Sequence, residues 1–204
     1  MAPGIAFAIL MALAAGGQIL DRIAVTVGRR VITESDVIRE VRISAFLDQK
    51  PVDLSGAQKR KAADRLVDQL LILQDAAEVR VPLPAAADAA PLLAQVKAQY
   101  GTEAGYHAAL ARYHVTEEEL TGHLLAGLRG MSFTDLRFRP DVQVSEDDLR
   151  EFYNTLANPK PGFEESRDQM EKLLTEQRVL QALDRWLGMT RTQTQILYRE
   201  QVFQ

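Results

Sequence analysis

Three histidines and two acidic runs are the reactive groups that stand out in this 204-residue chain. His107, His114 and His123 are spaced by seven and nine residues. A seven-residue spacing could align the first two on one helix face, but the helical pattern breaks near His114, so surface histidines are expected rather than metal ligands. The runs Glu117 to Glu119 and Glu146 to Asp148 each follow a hydroxyl residue, Thr116 and Ser145. Carboxylates in that position cap free N–H groups and offset the helix dipole, which accounts for them without acid–base catalysis. Without cysteine there is no thiolate zinc site, disulfide or Cys nucleophile. Phosphate-cradling glycine loops, the G-x-S-x-G elbow and H-E-x-x-H are also missing. No enzyme, cofactor or metal is expected.

Binding is the remaining chemistry, and it needs apolar surface. Phe46, Tyr100, Tyr106, Tyr113, Phe133 and Phe138 are the candidate polypeptide-binding residues, because an aromatic ring stacks on varied peptide side chains. Each also suits a helix core, and only some are expected to line a groove. Trp186 is expected in the core. The net charge of -4, with no Lys/Arg cluster, leaves no electrostatic footprint for nucleic acid. A hydrophobic content of 47% suffices for one sizeable core.

The secondary structure that carries these residues is expected to be mostly helical. Ile23 to Val27 alternates apolar and small residues, Gly28-Arg29 marks a turn, and Val31-Ile32 resumes the strand pattern. Thr33, Thr116 and Ser145 each precede a carboxylate by three residues and mark helix starts, although only Glu119 gives the strict capping box. Leu66, Leu70, Leu73 and Ala77 recur at helical spacing, widened by Val67, Leu71 and Ile72, and predict a buried helix over residues 56–79 that ends at the prolines 82 and 84. Further stripes are Leu92, Leu93, Val96 and Tyr100, then Tyr106, Leu110 and Tyr113, then Leu120, Leu124, Leu128 and Met131. Leu149, Phe152, Tyr153 and Leu156 share a face before a Pro/Gly linker over residues 157–162. A long final helix carries Met170, Leu173, Leu174, Leu180, Leu183, Trp186 and Leu187, and a strand follows at Ile196 to Tyr198.

The first residues form an export signal by their pattern. Residues 5–15 are an apolar run too short for the ~20 residues that span a bilayer. Ala12-Leu13-Ala14 supplies small residues for a signal peptidase, so residues 1–17 are expected to be removed, with a mature start between Ala15 and Gln18. No Lys or Arg precedes the run, and no Cys follows it for a lipid anchor. No stable membrane insertion is expected.

A family resemblance follows from the order and spacing of these segments. Residues 19–28 (ILDRIAVTVG), the VITESDV that starts at Val31, the RLVDQLLILQDAA that starts at Arg65, and YGTE followed by ALARYHVTEEEL resemble the N-terminal domain of SurA-type periplasmic chaperones and related parvulin-class foldases. The likeness covers most of residues 19–156. Two departures stand out. His114 occupies a place where the family often has Gly, and His tolerates a left-handed turn better than most residues. The family's parvulin domain, which follows the segment matching residues 144–153, is replaced here by the short linker. The residues after it, ALDRWL from Ala182 and QILYR from Gln195, resemble the C-terminal segment that packs back into the chaperone domain. The resemblance implies a mainly α, helical SurA-like peptide-binding domain in which a small β ribbon joins the N- and C-terminal strands. Residues 18–156 would form its body and residues 163–204 would complete it. It further implies a periplasmic, ATP-independent chaperone whose partners are unfolded polypeptides, outer membrane protein precursors among them. A parvulin relative with residual or partner-supplied isomerase activity, and a structural envelope subunit with one folded partner, are the alternatives.

Overall fold

The structure, a computed structural model, describes residues 21–157 and 161–204; the expected export signal and residues 158–160 of the linker lie outside these. Strand β1 (Ile23–Val27) turns at Gly28, whose φ of 56° suits a residue without Cβ, into β2 (Arg30–Thr33). Thr33 then caps α1 (Glu34–Leu47): its hydroxyl accepts from the Asp36 N–H while the Asp36 carboxylate accepts from the Thr33 N–H. Aspartate thus closes the box here, and Asp148 does the same with Ser145, so the motif is broader than the strict sequence form.

Helix α2 (Gly56–Glu78) follows, then α3 (Ala90–Ala98), α4 (Glu103–Tyr113) and α5 (Glu117–Phe138). His114 ends α4 in the left-handed conformation, with φ 52° and ψ 48°. The turn into α5 is closed by the Thr116–Glu119 capping box. Helix α6 (Glu146–Thr155), α7 (Phe163–Gln193) and β3 (Ile196–Tyr198) complete the chain. The architecture is mainly α with one small antiparallel sheet of order β2-β1-β3.

That order joins the two ends of the chain, with Val25 opposite Tyr198 and Val27 opposite Ile196. Such a short sheet is not stable alone and requires helices behind it. Val25, Val27 and Ile32 pack on Val37 and Val41 of α1 and on Ala63, Val67 and Leu71 of α2. A second core joins Ile43 and Phe46 of α1 to α3, α4 and Leu120 of α5. A third joins Ile72 and Ala76 of α2 to Phe133 and Phe138 of α5 and Val179 of α7. Trp186, half-buried, borders the first and third cores and packs at a tilt against Phe133 and Phe138, with centroids 5.4 and 6.1 Å away. Polar ties lock the returning segment: Arg191 bonds Asp68 at 2.8 Å and the Asp64 carbonyl at 3.0 Å, and the Arg60 guanidinium lies 3.6 Å from the Tyr198 ring centre.

Two expected stripes pack differently from their sequence pattern. In α7 the buried positions are Ser166, Met170 and Val179, while Leu173 and Leu180 are exposed. In α2 the first core takes Ala63, Val67 and Leu71 and the third takes Ile72 and Ala76. Leu66, Leu70 and Leu73 are only half-buried, and Ala77 is exposed.

Candidate functional site

Those three leucines form one wall of an open groove between β2, α1, α2 and α5, with a volume of about 490 Å³. Helical spacing brings the lining together. Asp36, Arg39, Glu40 and Ile43 share one face of α1, and Leu66, Gln69, Leu70 and Leu73 share one face of α2. Glu118, Glu119, Gly122, His123 and Ala126 come from α5, and Val31 and Ile32 from β2. Gly122 and Ala126 keep the α5 side low, and a Cβ added at Gly122 would meet nothing within 4 Å. The size falls in the usual range of ligand clefts, ~300–1,000 Å³.

The frame of the groove is a charged clamp. Glu40, only 4% exposed, accepts from Arg65 Nε at 2.9 Å through one carboxylate oxygen and contacts His123 Nδ1 at 2.9 Å through the other. One carboxylate on α1 thereby ties α2 and α5 together. Burial pushes the Glu40 carboxyl up, but the bonds and charges of His123 and Arg65 outweigh it and hold its pKa below the ordinary glutamate value. At the end of the groove Arg39 bonds Glu119 at 2.9 Å and Asp36 at 2.8 Å, stapling the starts of α1 and α5. Glu119 is lowered first by the Thr116 N–H and then by Arg39. Glu118 alone among the lining carboxylates has no hydrogen-bonding or ionic partner among the described residues.

The lining holds no Ser, Thr, Lys or Tyr that could act as a nucleophile, and both oxygens of Glu40 are engaged. Among the described residues no group of three or more His, Asp or Glu side chains could hold a metal ion, and no helix is long and apolar enough to cross a membrane.

The six candidate aromatics, of which some were expected to line a groove, lie elsewhere. Phe46 and Tyr106 are fully buried, Tyr113 is buried, and half-buried Tyr100 stacks on Phe46 at 5.0 Å and donates its hydroxyl to the Phe46 carbonyl. Burial is also what pushes the Tyr106 phenol up. Phe133 and Phe138 are buried in the third core; Phe138 also borders a shallow depression with Trp186 and Met189. None of the six lines the groove, because their rings fill the space between helices, where aromatic area contributes most to packing. Of the histidines, His107 and His114 are exposed as expected, whereas His123 is half-buried against Glu40.

Glu40, Leu66, Leu70 and Gly122 were not visible as site residues in the sequence. Two signals could have found the first three: α2 carries apolar residues around more of its circumference than one core can cover, and Glu40 interrupts the apolar face of α1. No protein-family profile matches the chain, and no curated protein is significantly similar to it.

Proposed function

We propose that this chain is an ATP-independent polypeptide-binding chaperone of the cell envelope. It holds extended apolar segments of unfolded proteins, outer membrane protein precursors among them, in the groove between α1, α2 and α5. The observation that carries this reading is the groove itself: half-buried Leu66, Leu70 and Leu73 are offered to a ligand on a frame clamped by Glu40. An open apolar cleft with a few placed polar groups suits a chain that is apolar in side chain and polar in backbone. The resemblance of residues 19–156 to SurA-type chaperones supports the same reading, and it supports export to the periplasm with removal of residues 1–17. No nucleotide or metal takes part in this activity.

The test uses the mature protein, residues 18–204, and an outer membrane β-barrel protein diluted from urea. The expected result is suppression of its aggregation, followed by light scattering, without ATP. Gly122→Trp fills the groove from a position where a side chain meets no atom and should abolish the suppression with an unchanged melting temperature. Full suppression by the Trp variant would place the activity outside this groove, and no suppression by the wild type would overturn the proposal.

A further inference from the structure

The free edge of β2 runs along the same groove, and its hydrogen-bonding groups can be assigned from the bonds of β1. The Gly28 N–H donates to the Gln195 carbonyl at 2.8 Å, and the Ala24 carbonyl accepts from the Arg199 N–H at 2.8 Å. Ala24, Thr26 and Gly28 therefore direct their backbone groups toward β3, because bonding direction alternates along a strand. Val25 and Val27 must then bond β2, where their partners are Ile32 and Arg30. Val31, opposite Thr26, is left with its N–H and C=O pointing away from the sheet. The next outward N–H, at Thr33, is already taken by the Asp36 carboxylate. Among the described residues Val31 is thus the one residue of β2 with both backbone groups open, and it lines the groove.

The charge of the groove adds a second requirement. Its lining holds four carboxylates, Asp36, Glu40, Glu118 and Glu119, against the guanidinium of Arg39 and the imidazole of His123. Asp36 and Glu119 share Arg39, and Glu40 is occupied by Arg65 and His123, which leaves Glu118 open at the rim. Main-chain donors and acceptors select an extended polypeptide over a small molecule, apolar walls select alternate apolar side chains, and the free carboxylate selects a cation.

We propose that the groove takes its ligand by strand addition: an extended segment exchanges a pair of backbone hydrogen bonds with Val31, sets apolar side chains against Leu66, Leu70 and Leu73, and pairs a Lys or Arg with Glu118. This rests on the groove being the polypeptide site proposed above. It adds how the segment is held and which segments are preferred.

Two labelled nine-residue peptides alternating Leu and Thr, one with a central Arg and one with a central Glu, separate the two levels of the argument by fluorescence anisotropy. The Arg peptide should bind several-fold tighter than the Glu peptide, and Glu118→Lys should invert that order. N-methylation of the alternate backbone nitrogens removes the N–H donated to the Val31 carbonyl, and the bulk of the methyl holds the segment away from the Val31 N–H, so both bonds are lost and binding should weaken about tenfold. Val31→Pro removes the outward N–H at an edge position that tolerates proline, and should weaken binding of the unmethylated peptide while leaving the N-methylated one unaffected. Should Val31→Pro fail to fold, the methylated peptides still decide the question. If the peptides bind and Gly122→Trp blocks them, but N-methylation has no effect, strand addition is wrong while the groove stands. An Arg/Glu preference unmoved by Glu118→Lys overturns the role of Glu118. If no peptide binds the wild type, both this inference and the groove reading fall; if the bound peptide is helical by circular dichroism, strand addition falls.

Discussion

Replacing Glu40 by Gln keeps the shape of the side chain and removes the charge that ties α1 to α2 and α5. Glu40 takes two hydrogen bonds from cationic or polarised donors, Arg65 and His123, each at 2.9 Å. Bonds to a charged group contribute about 1.5–3 kcal/mol each. The glutamine oxygen can still accept one of them at neutral strength, and a buried amide is less costly to desolvate than a carboxylate. The Arg65 side chain is 46% exposed, so once unpaired it returns to water instead of remaining a buried charge. The net loss is about 2 kcal/mol, which for a chain of this size lowers the melting temperature by about 4–8 °C. The pH dependence follows from the lowered carboxyl. A carboxylate whose native pKa lies below its unfolded value contributes stability that is complete above about pH 4.3 and is lost as pH falls through the native pKa. Thermal melts by circular dichroism should therefore show a wide gap between wild type and Glu40→Gln at pH 7 that narrows toward pH 3. A gap that stays constant, or is absent at pH 7, would refute the clamp. Because the clamp frames the groove, the variant should also bind peptide more weakly at temperatures where it is fully folded.

The C-terminal turn that buries Val202 depends on Gly56, where a Cβ would stand 1.8 Å from the Phe203 carbonyl oxygen. Gly56→Ala should cost about 1–3 kcal/mol by freeing that turn and the Lys59 bond to the Val202 carbonyl, measured by urea denaturation; an unchanged or higher midpoint would show that the turn contributes nothing. Trp186→Ala and Leu183→Ala should each destabilise the whole domain by about 2–3 kcal/mol, at the low end for core truncations because both side chains are half-buried; a separate early transition would instead mark α7 as an independent appendage. Helix α6 ends at Thr155 and α7 begins at Phe163, which leaves no room for a catalytic domain, so the protein should not accelerate isomerisation of a prolyl peptide. A rate enhancement removed by a groove variant would overturn that expectation.

Local signals were legible from the sequence alone. The caps at Thr33, Thr116 and Ser145 need only a hydroxyl and a carboxylate three residues apart, so each helix start could be read without knowing what packs on it. The turn at Gly28 is equally local, while the left-handed end of α4 at His114 was marked by the resemblance to a family that often has Gly at that place. The mainly α fold with a small sheet and the meeting of the two terminal strands could also be anticipated, from the apolar alternation at each end and from the resemblance that placed them in one domain. Helical periodicity, however, says that Leu66, Leu70, Val67 and Leu71 are apolar and not which of them is covered. α2 serves two cores at once, with Val67 and Leu71 in the first and Ile72 in the third, and its remaining leucines, Leu66, Leu70 and Leu73, are left half-buried along the groove. The same ambiguity left the aromatics as candidates for either a groove or a core, and Phe46, Tyr106 and Phe133 fill the spaces between helices. Glu40 shows the other side of this: its acidity is visible at once, but its role depends on Arg65 and His123, which lie 25 and 83 residues away. Short-range chemistry is written residue by residue, while a groove is the space left when distant faces meet, and only the tertiary arrangement decides which faces those are.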